Sequence, residues 1–183
     1  MKTPVRTILI AACLIFVVFL AYRWVRQETP ARSVPPRPYP STTKAKVPRP
    51  ATWARKIAAP PLGNFHQVSD DFYRGAQPSQ EGLKELERLG VRTVINLRRD
   101  RSDREDLVGT NLRYEEIPMT PMEPKTEDTV RFLKIISRRK DGPFFLHCLH
   151  GSDRTGAYTA IYRIVVQGWS KEAAIEEMTG GGY

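Results

Sequence analysis

Five residues separate Cys148 from Arg154 in the stretch His147-Cys148-Leu149-His150-Gly151-Ser152-Asp153-Arg154-Thr155-Gly156. A cysteine is a nucleophile only as its thiolate, and the thiolate is favoured where free backbone N–H groups and the positive end of a helix dipole converge. Gly151 and Gly156 let the backbone curl tightly enough to point several N–H groups at one centre. Arg154 adds a planar fork that can hold two oxygens of a phosphate while the sulfur faces phosphorus.

Such chemistry needs a loop held between a buried strand and a helix start, and the flanking residues supply both. Phe144-Phe145-Leu146 is a short apolar run of the kind found in strands buried on both faces. A helix is expected from about Gly156 to Gln167, stopped by Gly168, with a last helix from Ser170 to about Met178. Upstream, Phe72-Tyr73-Arg74 is a strand candidate. Ser79 caps a helix carrying Leu83, Leu86 and Leu89 that ends at Gly90. Val91–Leu97 and Leu112–Ile117 are further strands, the latter ended by Pro118. Thr126 is placed to cap a helix with Glu127 and Asp128 in its first turn and Val130, Phe132, Leu133 and Ile136 on its apolar side; Gly142-Pro143 breaks it. This alternation predicts an α/β fold, a mainly parallel central sheet flanked by helices.

Charge is distributed unevenly along the 183 residues. The net charge is +9, but the first 62 residues hold eleven of the 29 Lys and Arg against a single acid, Glu28. The remainder is close to neutral, which argues against a nucleic-acid partner, whose basic stripe would lie on the domain itself. A basic tail beside an apolar segment suits anionic lipid instead. Ile8–Tyr22 is apolar throughout, with Lys2 and Arg6 before it and Arg23, Trp24 and Arg26 after it. Thr7 and Trp24-Val25 extend it towards the roughly 20 residues needed to span hydrocarbon. An uncleaved signal anchor over 1–26 is preferred to a cleaved signal peptide or to a lipobox at Ile10-Ala11-Ala12-Cys13. Residues 27–62, rich in proline, form a basic linker or stalk, and 63–183 the folded domain. The localisation expected is a single-pass membrane protein with a periplasmic or otherwise exoplasmic domain. Two cysteines, Cys13 and Cys148, make no disulfide framework, and the three histidines have no metal-ligand spacing.

With His147 before it and Thr155-Gly156 after it, the Cys-x5-Arg loop resembles that of protein tyrosine phosphatases, and most closely the compact dual-specificity-like bacterial, plant and fungal members. Asn64-Phe65, Tyr73-Arg74-Gly75-Ala76-Gln77-Pro78, Val94-Ile95-Asn96-Leu97-Arg98 and Ala173–Met178 are similar to that subgroup too, so the resemblance covers roughly Gly63 to Tyr183. It implies hydrolysis of a phosphorylated protein or small phosphorylated substrate, without metal or other cofactor. Cys148 would form a phosphocysteine. Arg154 and the backbone N–H groups of Leu149, His150, Gly151, Ser152, Asp153 and Arg154 would stabilise the equatorial oxygens. Thr155 would donate to the sulfur and ease its departure, and His147 would buttress the loop. The end at Gly180-Gly181-Gly182-Tyr183 falls where the resembling proteins tend to continue.

One part of the pattern is missing. The family usually supplies a general acid, an Asp, from a loop about 30 residues before the cysteine, whereas this chain reads Ile117-Pro118-Met119-Thr120-Pro121-Met122-Glu123 there. Glu123, Asp128 and Asp153 are the substitutes. Asp128 also suits a helix N-terminus, and Asp153, placed as in phosphoinositide phosphatases of the myotubularin type, can equally serve to orient Arg154. An inositol-phosphate or phosphoinositide phosphatase is therefore the rival enzyme, and a non-catalytic phosphate-binding module the rival class. The cluster Arg98, Arg99, Arg101 and Arg104 is interleaved with Asp100, Asp103, Glu105 and Asp106 and reads as a solvated, self-paired loop.

Overall fold

The structure is a computed structural model that describes residues 49–120 and 125–183. The expected anchor, most of the expected linker, and Glu123 lie outside the described residues. Among the described residues no helix is long and apolar enough to cross a membrane.

The chain enters through a two-residue strand, β1 (Arg55–Lys56), followed by β2 (His66–Ser69) and β3 (Phe72–Gly75). Helix α1 (Gln80–Arg88) leads to β4 (Thr93–Arg98) and β5 (Arg113–Met119). Helix α2 (Thr126–Ser137) and a single 3-10 turn precede β6 (Phe144–His147), and α3 (Asp153–Val165) and α4 (Lys171–Gly180) complete the order. The six strands form one sheet in the order β1-β2-β3-β6-β4-β5.

The sheet is mixed, which corrects the expected mainly parallel one. β3, β6, β4 and β5 are parallel neighbours, but β1 with β2 and β2 with β3 are antiparallel. The cause is local. Only Asp70 and Asp71 separate β2 from β3, enough for a hairpin and far too few for a parallel crossover. β2 contains His66, Gln67 and Ser69, and so carries little of the apolar signal by which strands are read.

β6 lies between β3 and β4, which explains its uninterrupted burial. Phe144 and Leu146 face one core, with Phe72, Ile95, Phe132 and Tyr158; Phe145 faces the other, with Phe65, Leu83 and Val94. Helices thus cover both faces, α2 and α3 on the first and α1 on the second. Leu83 and Leu86 of α1 are fully buried, worth about 2 kcal/mol each relative to exposure.

Helix ends follow local chemistry with small departures from expectation. Ser79 Oγ accepts from the Gly82 N–H at 3.2 Å, and Ser170 Oγ from the Ala173 N–H at 3.2 Å. Leu89 is the C-cap of α1 and partly exposed rather than part of its buried stripe. Thr126 is the first helical residue of α2, with Lys125 at the cap position. β5 continues through Pro118 to Met119, which an edge strand tolerates. Residues 49–62 of the expected linker include β1, and Ala54 is buried with its N–H donating to Glu177 Oε1 at 2.6 Å.

Candidate active site

Gly75, His147 and Asn96 are in register across β3, β6 and β4. Because these strands are parallel, their carboxyl ends open on one edge of the sheet, where ligands of open α/β sheets bind. Cys148 is the first residue beyond β6, and the loop it begins ends at α3.

Three consecutive loop carbonyls are tied outward. Leu149 O accepts from the Gln77 N–H at 3.1 Å, His150 O from Asn64 Nδ2 at 2.9 Å, and Gly151 O from Arg74 Nη2 at 2.6 Å. In a planar trans peptide the N–H points opposite to the C=O. Anchoring these carbonyls therefore turns the N–H groups of His150, Gly151 and Ser152 the other way, into the loop. Gly151 has φ +76°, and a Cβ there would lie 2.5 Å from the Gly75 carbonyl, so no other residue fits without moving the loop. Ser152, at the N-cap of α3, makes no side-chain cap bond; its Oγ donates to Tyr183 O at 3.0 Å. The first turn of a 13-residue helix thus keeps N–H groups available at its positive end.

Cys148 is buried. Burial pushes its thiol up, but the Thr155 hydroxyl, the N–H groups of Thr155 and Gly151, and the Arg154 charge outweigh it and hold the thiol below its usual range. Thr155 Oγ1 is buried and has no well-formed hydrogen bond among the described residues, so its effect on the sulfur comes from proximity rather than an ideal bond. Arg154 Nη1 donates to Met119 O at 3.2 Å and Leu97 O at 3.4 Å, the ends of β5 and β4. Its other N–H donors have no partner among the described residues and can meet an oxyanion.

His147 and Asp103 meet beneath the loop with wholly buried side chains, Nε2 to Oδ2 2.7 Å. His147 Nδ1 lies 3.2 Å from Cys148 O, and Gln77 Nε2 donates to Asp103 Oδ1 at 2.6 Å. The Asp103 N–H donates to the Tyr114 hydroxyl at 2.8 Å, and Asn96 Nδ2 holds Arg101 O at 2.8 Å. The charged loop after β4 is therefore only partly solvated and self-paired. Arg98 pairs with Asp100 and Arg101 with Asp106, but Asp103 points inward. Asp103, Arg74 and Asn64 are site residues that sequence reasoning gave no such role. The one local signal was Asn64, a residue type that tolerates the left-handed φ of +50° seen there.

The carboxylates separate by position. Asp153 is exposed in the first turn of α3, and no hydrogen bond or ion pair joins it to Arg154 among the described residues. Asp128 sits in the first turn of α2, where its charge acts on the Tyr158 phenol. Asp100 is close enough to feel Arg154, but it is bound to Arg98 at 2.6 Å and held below the usual carboxylate range, chiefly by that bond. The structure thus gathers Cys148, Leu149, His150, Gly151 and Ser152 in one loop, with Asp153, Arg154 and Thr155 in the first turn of α3 that follows it, and leaves Asp128 on another helix. Among the described residues, no group of three or more His, Cys, Asp or Glu is arranged to hold a metal ion.

Comparison with known proteins agrees with this geometry. The family model described as "DSP-PTPase phosphatase fused to NAD+ Kinase" matches residues 63–180. The dual specificity protein phosphatase TpbA of Pseudomonas aeruginosa (strain UCBPP-PA14) is 37% identical over 138 residues, 75% of this chain and 62% of that relative. Inositol diphosphatase DSP3 of Arabidopsis thaliana is 30% identical over 129 residues, 66% of this chain and 63% of that relative. The chain thus spans a little under two thirds of the length of these curated relatives. The crystal structure of P. aeruginosa TpbA, in a cysteine-to-serine form in complex with pTyr, superposes with a TM-score of 0.65 at 35% identity, covering 73% of this chain and 82% of that one. By its matched domain, its fold and its relatives, this chain belongs to the family of compact, dual-specificity-like cysteine phosphatases.

Proposed function

We propose that this chain hydrolyses phosphomonoesters, phosphotyrosine foremost with phosphoserine or phosphothreonine beside it, through a phosphocysteine on Cys148. The observation that carries the reading is a thiol held below its usual range inside a ring of inward-turned N–H groups, with Arg154 beside it. Cys148 Sγ attacks phosphorus as the bond to the leaving oxygen breaks, and the spreading charge is met by Arg154 and the loop amides. Water then attacks phosphorus, the S–P bond breaks, and the Thr155 hydroxyl receives charge returning to the sulfur.

Asp153 is our candidate for the acid that protonates the leaving oxygen. It is the exposed carboxyl next to Arg154, whereas Asp100 is committed to Arg98 and Asp128 faces Tyr158. Glu123 and Asp128 are the alternatives. Aryl phosphates with leaving groups of increasing basicity separate them. Loss of the true acid leaves good leaving groups fast and slows poor ones by about 10²–10⁴-fold. If Asp153→Asn keeps the wild-type dependence, the acid is elsewhere, and Glu123→Gln and Asp128→Asn are read in the same way.

A second reading, an inositol-phosphate phosphatase, draws on the similarity to inositol diphosphatase DSP3. The site edge favours the first. Asp100, near enough for its charge to act with Arg154, puts a carboxylate at the site edge, which disfavours a substrate bearing several phosphates. Comparing kcat/KM for a phosphotyrosyl peptide and an inositol diphosphate decides between them.

The apolar run Ile8–Tyr22 supports a further proposal, that the domain is tethered to a membrane on its exoplasmic side. A C-terminal reporter active in a single compartment tests it, and signal confined to the cytoplasm contradicts it.

A further inference from the structure

Arg74 is the last but one residue of β3, and its side chain is almost wholly buried beneath the phosphate loop. A buried guanidinium is costly unless it is paired, and bidentate carboxylates are its usual partners. Here Nη2 donates to Gly151 O, while Nε and Nη1 are buried without a hydrogen-bond partner among the described residues. The Tyr183 ring lies over the guanidinium at 3.9 Å. Glu177 is near, but it is taken up by Arg163 at 2.7 Å through two bonds, by the Ala54 N–H and by the Tyr183 hydroxyl at 3.1 Å.

Gly151 joins Arg74 to the sulfur. Its carbonyl accepts from Arg74, and its N–H faces Cys148. The same residue is pressed against Gly75, the neighbour of Arg74 on β3. A guanidinium that fixes the Gly151 carbonyl orients the Ser152 N–H of the same peptide and holds the Gly151 Cα from one side, while Asn64 on the His150 carbonyl holds the peptide that carries the amide aimed at Sγ. The groups around the pair are few. Arg74 is faced by Tyr183, Glu177, Cys148 and Arg49 and by His66, its partner in register on β2, and Cys148 by Thr155, Gly151 and Arg154.

We propose that Arg74 is a positioning residue for the Cys148 thiolate, acting by holding Gly151 through its carbonyl and by placing a buried positive charge beneath the loop that carries the sulfur. Burial lowers the Arg74 guanidinium to about 10, still charged at neutral pH, with the Glu177 carboxylate, ahead of Cys148, acting in the opposite sense. Tyr183, pushed up to about 12 chiefly by burial, is neutral there and offers Arg74 only its ring. Arg154 is thus left free to meet phosphate.

The proposal rests on Cys148 being the reactive thiol, so the test reads that thiol without turnover. The full chain and its Arg74→Lys, Arg74→Gln and Arg74→Met variants are alkylated with iodoacetamide across pH. Peptide mass spectrometry separates Cys148 from Cys13. Arg74→Met and Arg74→Gln are expected to move the midpoint of Cys148 alkylation upward by roughly one pH unit. Arg74→Lys, which keeps the charge, recovers at least half of that shift. Arg74→Gln decides the question if Arg74→Met does not fold. Lowered melting temperatures with an unmoved midpoint in the folded neutral variants would reduce Arg74 to a structural bolt and overturn the proposal. So would a Lys variant that behaves like Gln. Aryl phosphate hydrolysis on the same samples keeps the two questions apart, since a shifted midpoint in a protein without turnover supports the role of Arg74 while counting against the hydrolase reading.

Discussion

His147 Nε2 lies 2.7 Å from Asp103 Oδ2, with neither side chain exposed. The contact spans 44 residues of sequence and fastens the last residue of β6 to the loop beyond β4. Cys148 follows directly, so its backbone inherits the rigidity of that pair. Asp103→Ala leaves His147 Nε2 buried without its partner and takes from the half-buried Gln77 Nε2 its shorter bond, leaving the 3.3 Å one to Pro78 O. A stability loss of about 1–3 kcal/mol is expected from the orphaned imidazole, with a fall in kcat of roughly tenfold as the loop loosens. Thermal unfolding and steady-state rates check both, and a fully stable, fully active variant contradicts the bracing role.

Gly151 is the most constrained point of the loop. Gly151→Ala brings a φ of +76° together with a Cβ 2.5 Å from the Gly75 carbonyl. Backbone strain of about 1–3 kcal/mol is expected, and displacement of the inward amides should cut kcat by about 10²-fold. Gly168, also at positive φ, has open space around its Cβ position. Gly168→Ala should therefore lose stability through strain alone and keep its activity, which side-by-side assays will show.

The pH dependence of Cys148 has a definite sign. Its folded thiol titrates below its unfolded value. The thiolate's contribution to stability is present above the unfolded value and is lost as pH falls through the lowered folded one. Activity should fall along the same acid limb. Thr155→Val removes the hydroxyl that ranks first among the groups favouring the thiolate, and should move the limb upward by roughly one pH unit. Rate profiles on the free enzyme test this, and an unmoved limb contradicts it.

Glu177 joins α4 to α3 and to the chain entering the domain. It makes two 2.7 Å bonds to Arg163 and accepts from the Ala54 N–H. Glu177→Gln leaves Arg163 a buried cation without its counter-charge and should cost about 3–5 kcal/mol. Burial pushes the Glu177 carboxyl up, but Arg163, the Ala54 N–H and Tyr183 hold it below the ordinary range. Its contribution is therefore present above the unfolded value and lost as pH falls through the depressed one. Wild type should lose more stability than Glu177→Gln on acidification below about pH 4.3. By the same contacts, a fragment beginning at Val47 should melt higher than one beginning at Gly63.

What could be read from sequence tracks how local the signal is. Phe144-Phe145-Leu146, the glycines at 151 and 156, and the Cys148–Arg154 spacing lie within one short stretch, and the loop between β6 and α3 stands where that pattern puts it. β1 and β2 left little trace because they are short and polar, so the sheet is mixed where alternation had suggested a mainly parallel one. Asp103 was hidden among charges, since only the fold distinguishes it from Asp100 and Asp106. Arg74 was invisible for a similar reason. An arginine in a strand reads as surface unless Gly151 and Tyr183, remote in sequence, are known to enclose it.

The most direct test of the account is to quench the full chain during hydrolysis of a ³²P-labelled phosphotyrosyl peptide and locate the label. The account predicts label on Cys148 that turns over in wild type, and neither label nor hydrolysis in Cys148→Ser. Hydrolysis that survives in Cys148→Ser would contradict the cysteine mechanism, and wild type that binds phosphate without hydrolysing it would make the loop a phosphate-binding module.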